Sequence, residues 1–312
     1  VSSFGLVQRR IGPTHFQTAV FTNLTQDHLD YHKNMEDYYQ AKRMLFEVCD
    51  LAICNIDDAY GQRLYKEITC EKCSYGCHEN ADFYADVIKI RPTETSFWFC
   101  SQGKSHQVTM KMTGMFNVYN AMTAAALGMI AGATMDEIRG GLEAVRSVPG
   151  RAEMLDTDTP YKVILDYSHA PAALENILSM VREFARNRVI ALFGCGGDRD
   201  REKRPIMGAI GGRMADFCIL TSDNARSEDP YAILEMVEEG IRPTGGAYCV
   251  IENRRDAIRK ALEMAEPGDV IVLAGKGHET YQEVKGVKRP FDEKKIVAEL
   301  LEEMKREQKT EE

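Results

Sequence analysis

Residues 162–184 read KVILDYSHAPAALENILSMVREF, a short apolar run, a polar turn and then a helix-length segment. The run 162–166 predicts a buried strand and 172–184 a helix. The same alternation continues towards the C-terminus. Strands are predicted at 188–193, 217–221, 247–251 and 270–274, with helices near 203–214, 231–239 and 254–265. Strands separated by helix-length segments imply a mostly parallel, Rossmann-like sheet covered by helices on both faces.

Upstream the rhythm differs. Residues 18–24 (TAVFTNL) predict a buried strand, 35–49 a helix and 51–56 a second strand. The runs ADFYADVIKI, SFWFC and HQVTMKM, between 81 and 112, are separated by polar turns and predict an antiparallel patch. Two helices follow, 117–131 and one opened by the capping box Thr134-Met-Asp-Glu137. The segment SVPGR, 147–151, ends that helix and nothing periodic bridges it. The expected fold is therefore α/β in two parts: a mixed-sheet domain over 1–146 and a mostly parallel domain over 147–312. The charged tail after Leu301 is expected to fray.

Thirty-nine Lys and Arg against 48 Asp and Glu give a formal charge of −9. That excludes a general binder of nucleic acid or anionic membrane, while leaving room for a local phosphate site. The longest mostly apolar run, 121–133, is too short to span a bilayer. Nine cysteines in 312 residues are too sparse for a disulfide scaffold. Cys70, Cys73 and Cys77 lack a second ligand pair at zinc-finger spacing and read as reduced thiols, so a cytosolic protein is expected.

Open parallel sheets bind ligands beyond the carboxyl ends of their strands. There the predicted strands end in Asp166-Tyr-Ser-His169, Gly194-Cys-Gly-Gly-Asp-Arg199, Ser222-Asp-Asn-Ala-Arg226 and Gly275-Lys-Gly-His-Glu279. One such segment is ordinarily a polar turn; four on one rim predict a shared site. Arg199 and Arg226 suit carboxylates, and Asp223 and Glu279 suit an ammonium group, so a zwitterionic ligand is expected.

In the predicted helix 35–49, Met35, Tyr38, Lys42, Leu45 and Cys49 share one stripe, which puts a lysine on an apolar seam. Either its stem packs while the ammonium reaches water, or a desolvated amine of lowered pKa reacts. With CO2 it would form a carbamate, an oxygen ligand for a hard cation. Just upstream, Asp27, His28, Asp30 and His32 crowd into six residues. On a helix the two histidines would face one way, and the acids favour Mg2+ or Mn2+. The bland alternative is a helix cap at Asp27 with solvated histidines.

The stretches VSSFGLVQRR (1–10), FTNLTQDHLDYH (21–32), YYQAKRMLF (38–46), GMFNVYNAMTA (114–124) and VPGRAE (148–153) together resemble the Mur ligase family. So do LDYSHAPAAL (165–174), FGCGGDRDREKRP (193–205), TSDNARSEDP (221–230) and AGKGHETYQ (274–282). The resemblance implies a partial central ATPase domain followed by an amino-acid-binding C-terminal domain. It also implies ATP-dependent amide-bond formation through an acyl phosphate in peptidoglycan synthesis, with Mg2+ (or Mn2+). By resemblance Lys42 is a carbamylated lysine and His28 a metal ligand. Ser2, Gln8 and Arg10 match positions that hold a UDP-MurNAc-dipeptide. Asn117, Asn120 and Arg151 match positions used for ATP, and Asp166 and His169 line the nucleotide-facing rim.

Members that add meso-diaminopimelate resemble one another in an Asp-Asn-Pro-Arg motif whose arginine grips the distal carboxylate. This chain has Asp223-Asn224-Ala225-Arg226. A lysine substrate would leave a buried Arg226 without a partner, so meso-diaminopimelate is expected, with Arg199, Gly275 and Glu279 completing the pocket. Ala225 gives up the fixed φ of proline. A lysine-adding member of the family and a non-catalytic amino-acid-binding module are the alternatives. No G-x-x-G-K-[ST] phosphate loop occurs in the sequence, and the acidic metal ligand expected just before Val1 is missing. The expectation is a piece of a longer enzyme that does not turn over ATP by itself.

Overall fold

The structure is a computed structural model and describes residues 1–91 and 93–311. The chain divides into two compact units, Val1–Arg146 and Ser147–Glu312.

The first unit contains α1 (Ser3–Val7), β1 (Phe16–Phe21), α2 (Met35–Arg43), β2 (Cys49–Asn55), α3 (Ala59–Glu67) and β3 (Glu71–Gly76). It continues with β4 (Phe83–Ile90), β5 (Thr95–Ser101), β6 (Lys104–Met110), α4 (Met115–Ile130) and α5 (Met135–Ala144). Its sheet runs in sequence order, β1 to β6. The pairings from β1 to β4 are parallel and those of β4, β5 and β6 antiparallel, the mixed sheet that the sequence predicts. Alternation along β2 sends Ile53 to one face, where α4 buries Val118, Met122 and Ala125. Ala52 and Cys54 go to the other, with Tyr39 of α2 and Leu64 of α3. The capping box at Thr134 and Glu137 forms as expected.

The first unit departs from expectation in three places. The predicted helix 35–49 ends at Arg43, and Met44–Glu47 tighten into a 3-10 turn. Cys49 pairs with Phe16 in the sheet, so it cannot also lie on the helical stripe of Lys42. Helix α3 and strand β3 carry no strong periodic signal. The helix buries only Gly61 and Leu64, and the buried half of the strand is Ser74, Tyr75 and Gly76.

The second unit contains β7 (Glu153–Leu155), β8 (Lys162–Asp166), α6 (Pro171–Arg182), β9 (Val189–Phe193), α7 (Lys203–Met214) and β10 (Phe217–Leu220). Next come α8 (Pro230–Ile241), β11 (Tyr248–Val250), α9 (Arg254–Met264) and β12 (Val270–Ala274). A hairpin, β13 (Tyr281–Val284) and β14 (Val287–Pro290), precedes α10 (Glu293–Glu311). The sheet order is β11-β10-β9-β12-β8-β7, parallel except for the edge strand β7. The chain winds outward from β8 to β11 and then returns to insert β12 between β8 and β9. Right-handed crossovers then place α6, α7 and α8 on one face and α9 on the other. Val163, Leu165, Ile190, Leu192, Ile271 and Leu273 are fully buried beneath α9 and α10.

Helix α10 continues past Leu301, where a frayed tail was expected. Ile296, Val297, Leu300 and Leu301 bury one face of it, and Arg255 and Arg259 of α9 pair with Glu299, Glu303 and Glu307 along it. No helix among the described residues is long and apolar enough to cross a membrane.

Candidate functional site at the strand ends of the second unit

All four predicted turns meet at the carboxyl edge of the sheet. Gly275 N–H donates to the Asp166 carbonyl (3.0 Å), and Gly197 N–H donates to the Asn224 carbonyl (2.9 Å). These approaches need glycine. A Cβ on Gly194 would lie 1.9 Å from the Thr221 carbonyl oxygen, and Gly275, at φ +117°, would meet Asp223 Oδ2 at 2.6 Å. The SVPGR joint docks there too: Gly150, at φ +68°, would place a Cβ 2.2 Å from the His278 nitrogen.

At the β8 end, Asp166 accepts the Ala152 N–H at 2.7 Å and the Ser168 hydroxyl. Burial pushes its carboxyl above the ordinary range against those hydrogen bonds. The Arg151 guanidinium lies 4.7 Å from the Tyr167 ring centroid. His169 packs edge-on to the same ring, with Nδ1 2.8 Å from the Tyr167 carbonyl oxygen.

At the β10 and β12 ends the predicted amino-acid residues come together. Arg226, half-buried at φ +51°, donates through Nη1 to the Gly197 carbonyl at 2.6 Å. Asp223 accepts the Asn224 N–H through Oδ1 at 2.6 Å, while its buried Oδ2, aimed at Gly275, has no hydrogen-bond partner. Glu279 Oε2 accepts from Asn224 Nδ2 (2.9 Å) and from Lys276 Nζ (3.1 Å). Arg199 stays exposed, its guanidinium turned onto the Asp198 carbonyl at 2.9 Å.

Sequence reasoning missed the buried charges beneath this rim. Arg204, 1 % exposed, holds the Glu228 carboxylate through both Nη atoms at 3.0 and 2.8 Å. Its guanidinium keeps that carboxyl down at about 2. Arg254 donates to the Ala274 carbonyl (2.8 Å) and to Glu293 Oε1 (2.8 Å), tying α9 to the end of β12. The sequence shows only that these residues are charged; their partners lie twenty or more residues away.

In the first unit, Ser2 caps α1 by accepting the Gly5 N–H at 3.1 Å, and Gln8 and Arg10 are exposed near its end. The shared helical face expected for His28 and His32 does not form. Residues 27–34 are irregular and His28 sits at φ +59°. Asp27 accepts the N–H of the next residue, His28, at 2.9 Å and caps no helix. His28 meets Tyr38 edge-on, centroids 5.9 Å apart, whereas buried His32 stacks on Tyr38 at 5.0 Å and reaches Ser3 Oγ at 2.8 Å. Lys42 Nζ lies 5.8 Å from the same ring and donates to the Val1 carbonyl at 3.1 Å. Burial pulls its ammonium below the ordinary lysine range.

Tyr38 is therefore the shared neighbour of His28 and Lys42. Among the described residues no three His, Cys, Asp or Glu side chains gather as a metal cage. The nine cysteines are free thiols. Asn117 is buried and donates to the Thr113 carbonyl at 2.8 Å; exposed Asn120 reaches Asn117 Oδ1 at 3.4 Å.

Comparison with known proteins adds the family. Residues 1–128 match the Mur ligase middle domain, and residues 150–277 match the Mur ligase, glutamate ligase domain. UDP-N-acetylmuramoyl-L-alanyl-D-glutamate–2,6-diaminopimelate ligase 1 of Clostridium acetobutylicum is 45% identical over 306 residues, 97% of this chain and 63% of the relative. The diaminopimelate ligase of Syntrophomonas wolfei is 44% identical over 307 residues, 96% of this chain and 63% of the relative. A solved UDP-N-acetylmuramoyl-L-alanyl-D-glutamate–2,6-diaminopimelate ligase superposes with a TM-score of 0.61 at 35% identity, over 97% of this chain and 64% of that one. A pseudomurein peptide ligase type C from Methanothermus fervidus shares the fold, with a TM-score of 0.71 at 18% identity over 97% of this chain and 66% of that one. The chain thus spans about 63% of the length of these curated relatives. With two consecutive domain matches on a mixed sheet and a parallel sheet in the same order, this chain belongs to the Mur ligase family.

Proposed function

We propose that the chain is the middle and C-terminal part of an ATP-dependent acid–amino-acid ligase. That enzyme adds meso-diaminopimelate to UDP-N-acetylmuramoyl-L-alanyl-D-glutamate in peptidoglycan synthesis, in the cytosol. The observation that carries this reading is the Asp223–Arg226 turn. It presents a half-buried guanidinium and, three residues away, a buried carboxylate oxygen without a donor. A second carboxylate on Arg226 and an ammonium on Asp223 and Glu279 would satisfy both, which suits a diamino dicarboxylic acid. L-Lysine would satisfy only the acidic side. The names of relatives 40–45% identical to the chain point the same way.

In this reading the rim holds the far end of the amino acid and so orients its reacting amine towards an activated acceptor carboxylate. Arg199, Gly275 and Glu279 complete the pocket. Ser2, Gln8 and Arg10 are the candidates for the UDP-MurNAc-dipeptide, and Asn120 in the first unit and Arg151 in the second are each a candidate contact for ATP. Asn117 orients Asn120 through their side-chain contact. Asp166 and His169 line the nucleotide side of the rim. The desolvated Lys42 amine meets the condition for carbamate formation. A carbamate there together with His28, which shares Tyr38 as a neighbour, would give one oxygen and one nitrogen donor, which suits a cation such as Mg2+ (or Mn2+) that keeps phosphate and water ligands. When bound, such a cation supplies charge neutralisation of the transferring phosphoryl group.

The test is calorimetric titration of the full chain with meso-diaminopimelate and with L-lysine, for the native protein and Arg226→Ala. The reading expects meso-diaminopimelate to bind selectively and to lose at least tenfold in affinity in the variant, the scale of one charge-assisted hydrogen bond. Equal affinities unchanged by Arg226→Ala would favour a lysine-adding ligase. Joining the chain to the part of the Clostridium relative that it does not span, and finding no ATP turnover, would favour a binding module.

A further inference from the structure

Asn224 lies on the turn that carries Arg226, and both ends of its side-chain amide are tied to the protein. Nδ2 donates to Glu279 Oε2 (2.9 Å), and Oδ1 accepts from Lys276 Nζ (3.2 Å) and from the Glu283 backbone N–H (2.9 Å). Lys276 Nζ also donates to Glu279 Oε2 at 3.1 Å, closing a ring of three side chains. The Lys276 side chain is 0% exposed and its ammonium lies 5.7 Å from the Tyr281 ring centroid. A lysine in such a place is costly unless its charge is paired and its donors are used.

The hairpin β13–β14 continues from that ring. Arg226 N–H donates to the Glu283 carbonyl (3.0 Å), and Lys285 N–H donates to the Arg226 carbonyl (2.6 Å). Gln282 Nε2 adds a bond to the Asp223 carbonyl at 3.1 Å. Two hairpin residues therefore bracket Arg226 on both sides of its backbone. This bracket holds it at φ +51°, a conformation uncommon for residues with a side chain. With alanine at 225, the stiffness of the turn comes from the hairpin, and the hairpin is anchored through Asn224 to Lys276.

We infer that Lys276 is a positioning residue that sets amino-acid specificity: it anchors Asn224 and Glu279, keeps the β13–β14 hairpin docked on the Asp223–Arg226 turn, and so aims Arg226 at the second carboxylate of a diamino dicarboxylic acid. The identity of that ligand rests on the function proposed above; the positioning does not.

The test uses the full chain carrying Lys276→Met, which keeps the buried stem and removes the ammonium. Lys276→Met/Glu279→Gln, which removes both charges, serves if the lone carboxylate unfolds the rim. Backbone amide exchange, read by NMR without ligand, is expected to quicken at least tenfold at Arg226 and Lys285, while Val272 and Leu273 in the core strand β12 hold their rates. The preference for meso-diaminopimelate over L-lysine is expected to fall at least tenfold. Unchanged exchange at Arg226 and Lys285 in a folded variant would overturn the inference. So would equal quickening throughout β12 in both variants, which marks a stability role alone. Faster exchange with unchanged preference would remove the specificity role. Faster exchange in a chain whose native form binds no meso-diaminopimelate would uphold the positioning and count against the proposed ligand.

Discussion

Glutamine at position 228 would keep the volume of the side chain and remove the charge that faces Arg204. That guanidinium is 1 % exposed and holds the carboxylate through two contacts, at 3.0 and 2.8 Å. Glu228 also accepts the Asp198 N–H at 2.6 Å, so the pair supports the glycine turn after β9. The folded carboxyl titrates at about 2 against an ordinary 4.5. Because the folded value is the lower one, the stabilisation is complete above pH 4.5 and is lost as pH falls towards 2. The gap between the two values corresponds to about 3 kcal/mol at pH 7 and leaves about 1 kcal/mol at pH 3. Removing one partner of a buried ion pair independently suggests roughly 3–5 kcal/mol. Urea unfolding of the native chain and Glu228→Gln, followed by hydrogen-exchange mass spectrometry on peptides covering 193–229, separates the local transition from the rest. The native-minus-variant difference should shrink from about 3 to about 1 kcal/mol between pH 7 and pH 3. A difference of equal size at both pH values, or none at pH 7, would refute the electrostatic assignment.

Gly150→Ala should cost about 3 kcal/mol in urea unfolding, because its Cβ would sit 2.2 Å from the His278 nitrogen at φ +68°. Thr134→Ala should lower the stability of the 1–146 unit by about 1 kcal/mol, and Thr134→Ser should restore it, since the hydroxyl caps α5 by accepting the Glu137 N–H. Asp57→Ala strips the acceptor from the Cys77 N–H (2.6 Å) and the Tyr119 hydroxyl (2.8 Å). Thermal denaturation should show a loss of about 3 kcal/mol, with Asp57→Asn costing less.

The parallel sheet was legible because β8, β9 and β12 are nearly continuous apolar runs bounded by glycine and polar turns, the mark of strands buried on both faces. The rim followed from topology, since whatever ends such a strand arrives at one edge. Helix α3 and strand β3 were not legible, because neighbouring elements rather than their own apolar pattern hold them in place. The helix was overrun from 43 to 49 because a stripe at helical spacing cannot show that Cys49 is already paired with Phe16. His28 and His32 lie on a hydrogen-bonded turn, not a helix, and both pack on Tyr38; no local marker beyond the histidines themselves foretells that turn. The pairs Arg204–Glu228, Arg254–Glu293 and Lys276–Glu279 need three-dimensional neighbours to be seen. The last is only three residues apart, yet its burial depends on Asn224, fifty-two residues upstream.

In the proposed function, the four strand ends of the second unit form one site for an amino acid with a second carboxylate. NMR titration of the full chain with meso-diaminopimelate tests it most directly. Chemical-shift changes are expected to concentrate in residues 166–169, 194–199, 223–226 and 275–279, with much weaker changes for L-lysine. Shifts confined to other segments, or equal responses to both amino acids, would contradict it.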